Sequence, residues 1–178
     1  KGINKAYDEA SFRVALQNFE ESRISRNIYE TDREIRREKV DAYSANLDLT
    51  KKIGSKNQFF YGVEALSDGV TSIGINENID SDTSMAGPSR YPQAVWNSFG
   101  AYLTDQYKIN EHFLISAGLR YSRYLMNADF DTTFYPFPFK TATINNGGLT
   151  GSMGIVYRPE KSWVISANAA TAFRSPNV

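Results

Sequence analysis

Side chains suited to catalysis or metal binding are scarce in this sequence. His112 is the only histidine, and cysteine is absent, which excludes thiol chemistry, cysteine-metal sites and disulfides. A Ser-His-acid triad would need His112 to meet a serine on a distant strand, and no acidic pair stands beside it at ligand spacing. We therefore predict no catalytic residue, no metal site and no cofactor, and we place His112 in a surface turn.

Binding chemistry is better represented, in polar stretches that favour loops. "ENIDSD" at 77–82 could hold a hard cation through its oxygens, but it lacks the form of an EF-hand loop, and a solvated loop is the simpler interpretation. "AGPSRYPQ" sets Arg90 and Tyr91 between two prolines, and "YPFPF" presents Tyr135 and Phe137. We expect these four residues to contact a ligand, because loops carry specificity, although "YPFPF" could instead pack its own loop down.

Composition narrows the class of protein. The chain has 178 residues, enough for one domain, and a formal net charge of zero with its cations dispersed, so we predict no nucleic-acid partner. There is no run of 18 apolar residues to span a membrane as a helix, and no apolar stretch typical of a signal peptide near the start. We expect the chain to be a segment of a longer protein.

Alternation of apolar and polar residues dominates the sequence and predicts about seven half-buried strands. "FLISAGLRYSRYL" places Phe113, Ile115, Ala117 and Leu119 on one face and Ser116, Gly118 and Arg120 on the other. The same period recurs in "FRVAL", "DAYSANLDL", "FFYGVEAL", "GSMGIVY" and "WVISANAATAF". "NSFGAYLTDQYKI" is ambiguous, because Asp105 shares a face with Phe99 and Leu103.

The connections between these strands alternate strictly between long and short. The short ones lie at 54–57, 110–112 and 160–162, and the long, polar ones at about 23–38, 68–93 and 127–147. In an antiparallel up-and-down meander this order collects the tight turns at one end and the long loops at the other. Outer-membrane barrels have that asymmetry, whereas a sandwich has no reason to sort its loops.

Aromatic residues agree with a barrel. Several lie near the predicted tight turns or the chain start: Phe12, Phe59, Phe60, Tyr107, Phe113, Tyr157 and Trp163. In a barrel they would form the girdle at the periplasmic interface, where a ring keeps its apolar body in lipid. A soluble all-β binding module with aromatic corners remains an alternative, as does a passive outer-membrane porin or adhesin anchor.

The end of the sequence carries a family resemblance. "ATAFRSPNV" resembles a strand motif of TonB-dependent outer-membrane receptors, approximately T-x-F-R-x-P-N. "FGAYLTDQYKINEHFLISAGLRYSRY" and "GLTGSMGIVYRPEKSWVISANAATAFRSPN" are similar to two successive hairpins of that family. The resemblance covers residues 94–178 well and residues 10–66 more loosely, in the manner of haem-type receptors.

The resemblance implies an active transporter in the outer membrane of a Gram-negative bacterium. Its barrel of roughly 22 strands would import a scarce ligand, such as a ferric siderophore, haem or cobalamin, with energy delivered by TonB. On this view, residues 1–178 are a partial barrel domain in contact with membrane lipid, without the plug domain that TonB contacts and without the closing strands.

The resemblance and the period together suggest residues on the inner face of the barrel. We expect Arg174, Arg120 and Glu64 to face the lumen and Phe173 to face lipid. Seven strands cannot close such a barrel, so we also expect an isolated segment to pair its raw edges with another copy or to pack its apolar face on itself.

Overall fold

The fold is a single antiparallel sheet, seen in a computed structural model that describes residues 5–175. Its strands are β1 (Glu9–Ser25), β2 (Asp32–Ile53), β3 (Asn57–Asn78), β4 (Thr83–Gly87), β5 (Gln93–Lys108), β6 (Phe113–Asp129), β7 (Thr141–Tyr157) and β8 (Ile165–Ala170). The strands lie side by side in chain order, except that the short β4 pairs only with the last five residues of β3, 74–78. The predicted up-and-down meander is confirmed, with β4 as an additional strand.

Turn lengths divide the sheet into two different ends. At one end, residues 54–56, 109–112 and 158–164 join β2 to β3, β5 to β6 and β7 to β8; at the other, residues 26–31, 79–92 and 130–140 join β1 to β2, β3 to β5 and β6 to β7. Gly54 adopts φ +65° in the first tight turn, a conformation that costs glycine little. We call these ends the turn end and the loop end. The predicted sorting of connections is confirmed in part, because the connection at 26–31, expected to be long, is shorter than the one at 158–164.

The two faces of the sheet differ in chemistry. Cross-strand partners share a face, and the pairs Leu47–Val63 and Leu103–Leu119 put apolar residues on the one we call the apolar face. Its large side chains are widely exposed, at 70% for Phe12 and 59% for Leu119. No second sheet covers this face among residues 5–175. The structure therefore does not support the soluble sandwich.

Strands β2 and β3 run further than predicted, for 22 residues each. Their upper parts were expected to be loop, because "REIRREKV" is dense in charge. Opposite charges instead pair across strands, as in Arg33 to Glu77 at 2.6 Å, and Ile35 opposes Ile75 in register. A tilted strand of about ten residues crosses a bilayer, so both strands extend beyond that length.

The aromatic prediction is confirmed in part. Phe113 and Tyr157 stack at the turn end, with ring centroids 4.3 Å apart, and Tyr107 lies on the same apolar face. Phe60 lies on the opposite, polar face, where it pairs with Thr104. Phe59 shares the face of Tyr61 and Val63, as a period of two requires, and the girdle prediction for Phe60 is wrong.

The last segment departs from the predicted strand. β8 ends at Ala170. The Phe173 ring stacks on the Tyr124 ring, with centroids 5.9 Å apart, and lies against Gly148. Tyr124 and Gly148 are both on the polar face. The prediction that Phe173 faces lipid is therefore wrong, because the chain leaves the ladder after Thr171 and the period of two no longer applies. Pro176, which we expected to bend this strand, lies outside the described residues.

The edges of the sheet also differ from expectation. β1 and β8 each pair on one side only, and the apolar face does not fold onto itself within the described residues. The expectation that the apolar face packs on itself is wrong for this chain, and pairing of the edges with another copy stays a prediction. Residues 5–175 contain no helix long and apolar enough to cross a membrane.

Asp8 fastens the start of the chain to β2 at the turn end. Its carboxylate accepts hydrogen bonds from Lys51 Nζ at 2.8 Å and from the Lys52 backbone N–H at 2.7 Å, and these bonds lower its pKa below the ordinary 3.8. A lowered pKa means that the contact stabilises the fold fully above pH 3.8 and is lost as the pH falls through the lowered value.

We expect the Lys52 amide proton to report this loss. Its NMR shift should titrate with a midpoint below 3.8, because it follows the Asp8 carboxyl group. The Asp8→Asn variant is the control, since it removes the titrating group and should abolish that midpoint. A midpoint at or above 3.8 in the unsubstituted protein would contradict the assignment.

Candidate functional site

The only buried apolar cluster among the described residues lies on the polar face at the loop end. Ala94, Met126 and Ala128 form it, and Val70, Trp96, Phe130 and Ile144 pack around it. Phe130 belongs to the connection between β6 and β7, so a loop side chain helps to exclude water from the cluster. A dry base with loops above it is a suitable setting for ligand binding.

Residues 88–92, which we call the strap, form one of these loops. Ser72, 2% exposed on β3, holds the strap from below: its Oγ accepts the Arg90 and Tyr91 backbone N–H groups at 3.2 and 3.3 Å. Gln93 Nε2 donates to the Ser72 carbonyl at 2.6 Å. Gly74 lets the backbone approach, because a Cβ there would lie 2.2 Å from the Pro88 carbonyl oxygen.

A cavity of about 510 Å³ lies beneath the strap. Its apolar and aromatic walls are Phe19, Val40, Val70, Tyr91, Pro92, Ala94, Trp96 and Met126, and its charged residues are Glu21, Arg23, Glu38, Asp68 and Arg90. The sequence prediction placed Arg90 and Tyr91 in a ligand-binding loop. The structure puts both at the cavity, with the Arg90 guanidinium 4.9 Å from the centre of the Tyr91 ring.

Charges within the cavity are unevenly satisfied. Arg23 Nε donates to Glu21 at 2.9 Å, and the Arg90 guanidinium lies against Tyr91. Glu38 is only 6% exposed, yet neither of its carboxylate oxygens has a hydrogen-bond partner among residues 5–175, and the same holds for Oδ1 of Asp68. A buried carboxylate without a partner is costly, and acidic side chains outnumber basic ones in the cavity by three to two.

A second polar group lies nearer the turn end on the same face. Glu64 and Arg120, both predicted to face the lumen, form an ion pair, and Arg120 Nε donates to Ser122 Oγ at 3.0 Å. Beside them, Tyr102 Oη donates to Asp48 Oδ1 at 2.5 Å. The side chains of Arg120 and Glu64 are 37% and 39% exposed, so their ion pair contributes little to stability.

The other predicted loop residues lie apart from the cavity. Tyr135 and Phe137 belong to the connection between β6 and β7, where their ring centroids are 6.0 Å apart, and Phe137 also meets Phe130 and Phe139 at 5.6 and 5.8 Å. No ring contact joins this group to Tyr91 within the described chain. The alternative that "YPFPF" packs its own loop down accounts for these contacts.

The remaining sequence candidates occupy the turn end and the final segment. His112 lies in the tight turn between β5 and β6, as predicted, and its Nδ1 lies 2.6 Å from the Arg158 carbonyl oxygen. Arg174 follows β8 in irregular backbone, so its predicted lumen-facing role has no strand geometry behind it. Among residues 5–175, no three His, Cys, Asp or Glu side chains are grouped to hold a metal.

Sequence reasoning missed Glu38, Asp68 and Trp96 as cavity residues. The first two fell within predicted loops, so no face was assigned to them. Extending the alternation of "DAYSANLDL" backwards through Val40 would have placed Glu38 on the polar face.

Ser72→Ala tests how the strap is held. The substitution removes the hydroxyl that accepts two strap N–H groups, so we expect amide exchange at Arg90 and Tyr91 to accelerate about tenfold, the equivalent of about 1.4 kcal/mol of lost hydrogen bonding. Ser98→Ala is the matched control, because Ser98 lies on the polar face of β5 away from the strap. Unchanged exchange in Ser72→Ala would contradict this role.

Comparisons with known proteins agree with the geometry. The family described as "TonB dependent receptor-like, beta-barrel" matches residues 3–178. No curated protein matches the sequence significantly.

Solved structures have a similar fold at low sequence identity. The copper transporter OprC has a TM-score of 0.82 at 15% identity over 98% of this chain and 29% of its own. The unliganded ferric citrate transporter FecA has a TM-score of 0.62 at 15% identity over 92% of this chain and 25% of its own. The siderophore receptor PiuA from Acinetobacter baumannii has a TM-score of 0.62 at 15% identity over 93% of this chain and 30% of its own. The chain thus spans less than a third of each of these proteins.

Proposed function

We propose that this chain, which belongs to the TonB-dependent receptor β-barrel family, forms part of the wall of an outer-membrane transporter that imports a scarce ligand with TonB-coupled energy. The family match over residues 3–178 carries the proposal. The exposed apolar face supports it, because a barrel wall needs an apolar surface towards lipid. The alternative of a passive porin or adhesin anchor lacks this family support.

In this arrangement the polar face lines the lumen, and the loop end faces the cell exterior. Similar structures are named as transporters or receptors of copper, ferric citrate and siderophores, which favours a metal or a metal chelate as the imported class. TonB would act through a plug domain of the complete receptor. Glu64, Arg120 and Arg174 remain proposed lumen residues.

Uptake by cells tests the proposal. We expect deletion of the complete receptor gene to reduce accumulation of radiolabelled iron or copper chelates under metal limitation, and deletion of TonB to reduce it equally. A passive pore would continue to conduct without TonB, so uptake that depends on the receptor but not on TonB would favour the porin alternative.

A further inference from the structure

We propose that the cavity beneath the strap is a binding site for an organic cation, a protonated amine attached to an aromatic or apolar body. The inference rests on the proposed function and adds one chemical feature to the imported ligand, a protonated amine on the part of the chelate that enters this cavity. It starts from Glu38, which lines the cavity and is 6% exposed with both oxygens unpartnered within the described chain.

The balance of charge selects a cation over an anion. Three acidic side chains line the cavity against two arginines; Arg23 pairs with Glu21, and the Arg90 guanidinium, which lies over the Tyr91 ring, keeps its charge, so one negative charge is left over. Glu38 and Asp68 have carboxylate oxygens without donors. An entering ammonium group would supply the missing hydrogen bonds, whereas an anion would add repulsion in a poorly solvated space.

The spacing of the two acids argues against a metal ion. Glu38 pairs with Ser72 in register, and Asp68 lies four residues earlier on β3, roughly 13 Å away along the strand. Oxygen ligands of a bound metal lie within about 2.6 Å of the ion, so these two carboxylates cannot share one. Each is instead placed to contact a separate part of an extended ligand.

Aromatic walls specify the rest of the ligand. Trp96 is the cross-strand neighbour of Asp68, and Phe19 and Tyr91 also line the cavity. Ring faces attract cations and stack on flat apolar groups. The volume of about 510 Å³ falls within the range for small-molecule sites.

Three indole compounds that differ in charge provide the test. Tryptamine is a cation, tryptophol is neutral and indole-3-acetate is an anion, and all three present the same ring. Equilibrium dialysis with the complete receptor in detergent should give a dissociation constant for tryptamine about tenfold lower than for tryptophol, as one charge-assisted hydrogen bond allows. Indole-3-acetate should bind most weakly.

Substitutions of the cavity acids test which carboxylate produces the preference for tryptamine. A single ammonium group can contact only one of two carboxylates that lie roughly 13 Å apart, so Glu38→Gln, at the acid with both oxygens unpartnered, should reduce the tryptamine advantage several-fold, and Asp68→Asn should reduce it less. Glu34→Gln is the matched control, because Glu34 lies on the same face of β2, pairs with Arg36 at 2.8 Å and does not line the cavity. Equal binding of the three compounds by the unsubstituted receptor, or an advantage that survives Glu38→Gln, would overturn the inference.

The result is separable from the proposed function. A receptor that imports a metal chelate through TonB but shows no preference for tryptamine refutes only the cation site. A receptor that prefers tryptamine, with the preference lost in Glu38→Gln, but shows no TonB-dependent uptake refutes only the transport function.

Discussion

Leu103→Arg should destabilise the folded barrel by about 2–4 kcal/mol, the cost of a cation at the lipid-facing midplane of a barrel. Leu103 lies on the apolar face between Tyr61 and Leu119 in register and is 49% exposed. It is five residues above the end of β5 at Lys108, or about 13 Å above the turns for a tilted strand. That height is near the centre of an apolar band about 25 Å tall.

Thr104→Arg is the matched control, because the next residue on β5 points to the opposite face. A lumen accommodates the same cation in water, so we expect a change within about 1 kcal/mol there. Urea unfolding of the complete receptor in lipid vesicles measures both variants. Equal losses, or a greater loss for Thr104→Arg, would contradict the assignment of lipid and lumen faces.

Gly62→Ala should be nearly as damaging, although it adds a single methyl group. A Cβ at Gly62 would lie 2.4 Å from the Leu47 carbonyl oxygen and 2.9 Å from the Tyr102 ring. The carbonyl belongs to the β2 ladder and cannot rotate away as a side chain would. We expect about 1–3 kcal/mol of destabilisation, typical of overpacking.

Gly69→Ala separates this clash from a general effect of replacing glycine in a strand. It lies on the same strand, and the nearest atom to its Cβ would be 4.0 Å away. We expect it to be neutral or slightly stabilising, because alanine restricts the unfolded chain. Similar midpoints for the two alanine variants in urea would show that the close approach at Gly62 has no energetic weight.

The sequence specified much of the fold because a period of two leaves few choices. Alternation placed Leu103 and Leu119 on one face and Glu64 and Arg120 on the other, and the turn signals sorted the ends. Strand length could not be predicted, since the charges that suggested solvated loops pair between strands, Arg33 with Glu77 across β2 and β3 and Arg37 with Glu20 across β2 and β1. Phe173 was misplaced because alternation cannot indicate where a chain leaves the ladder.

The candidate site was partly predictable for a similar reason. Local sequence marked Arg90 and Tyr91, since two prolines and an exposed aromatic residue predict a shaped loop. Glu38 and Asp68 become cavity residues only through the register of β2 and β3 and through the strap above them. Such contacts join residues far apart in sequence, and no short motif encodes them.

The central claim is that this chain is the wall of a folded outer-membrane barrel. The most direct test is gel migration of the complete protein from purified outer membranes, with and without boiling in SDS. We predict that the protein fractionates with the outer membrane and that boiling changes its apparent mass, because a closed barrel resists SDS until heated. A soluble protein whose migration is the same before and after boiling would contradict the account.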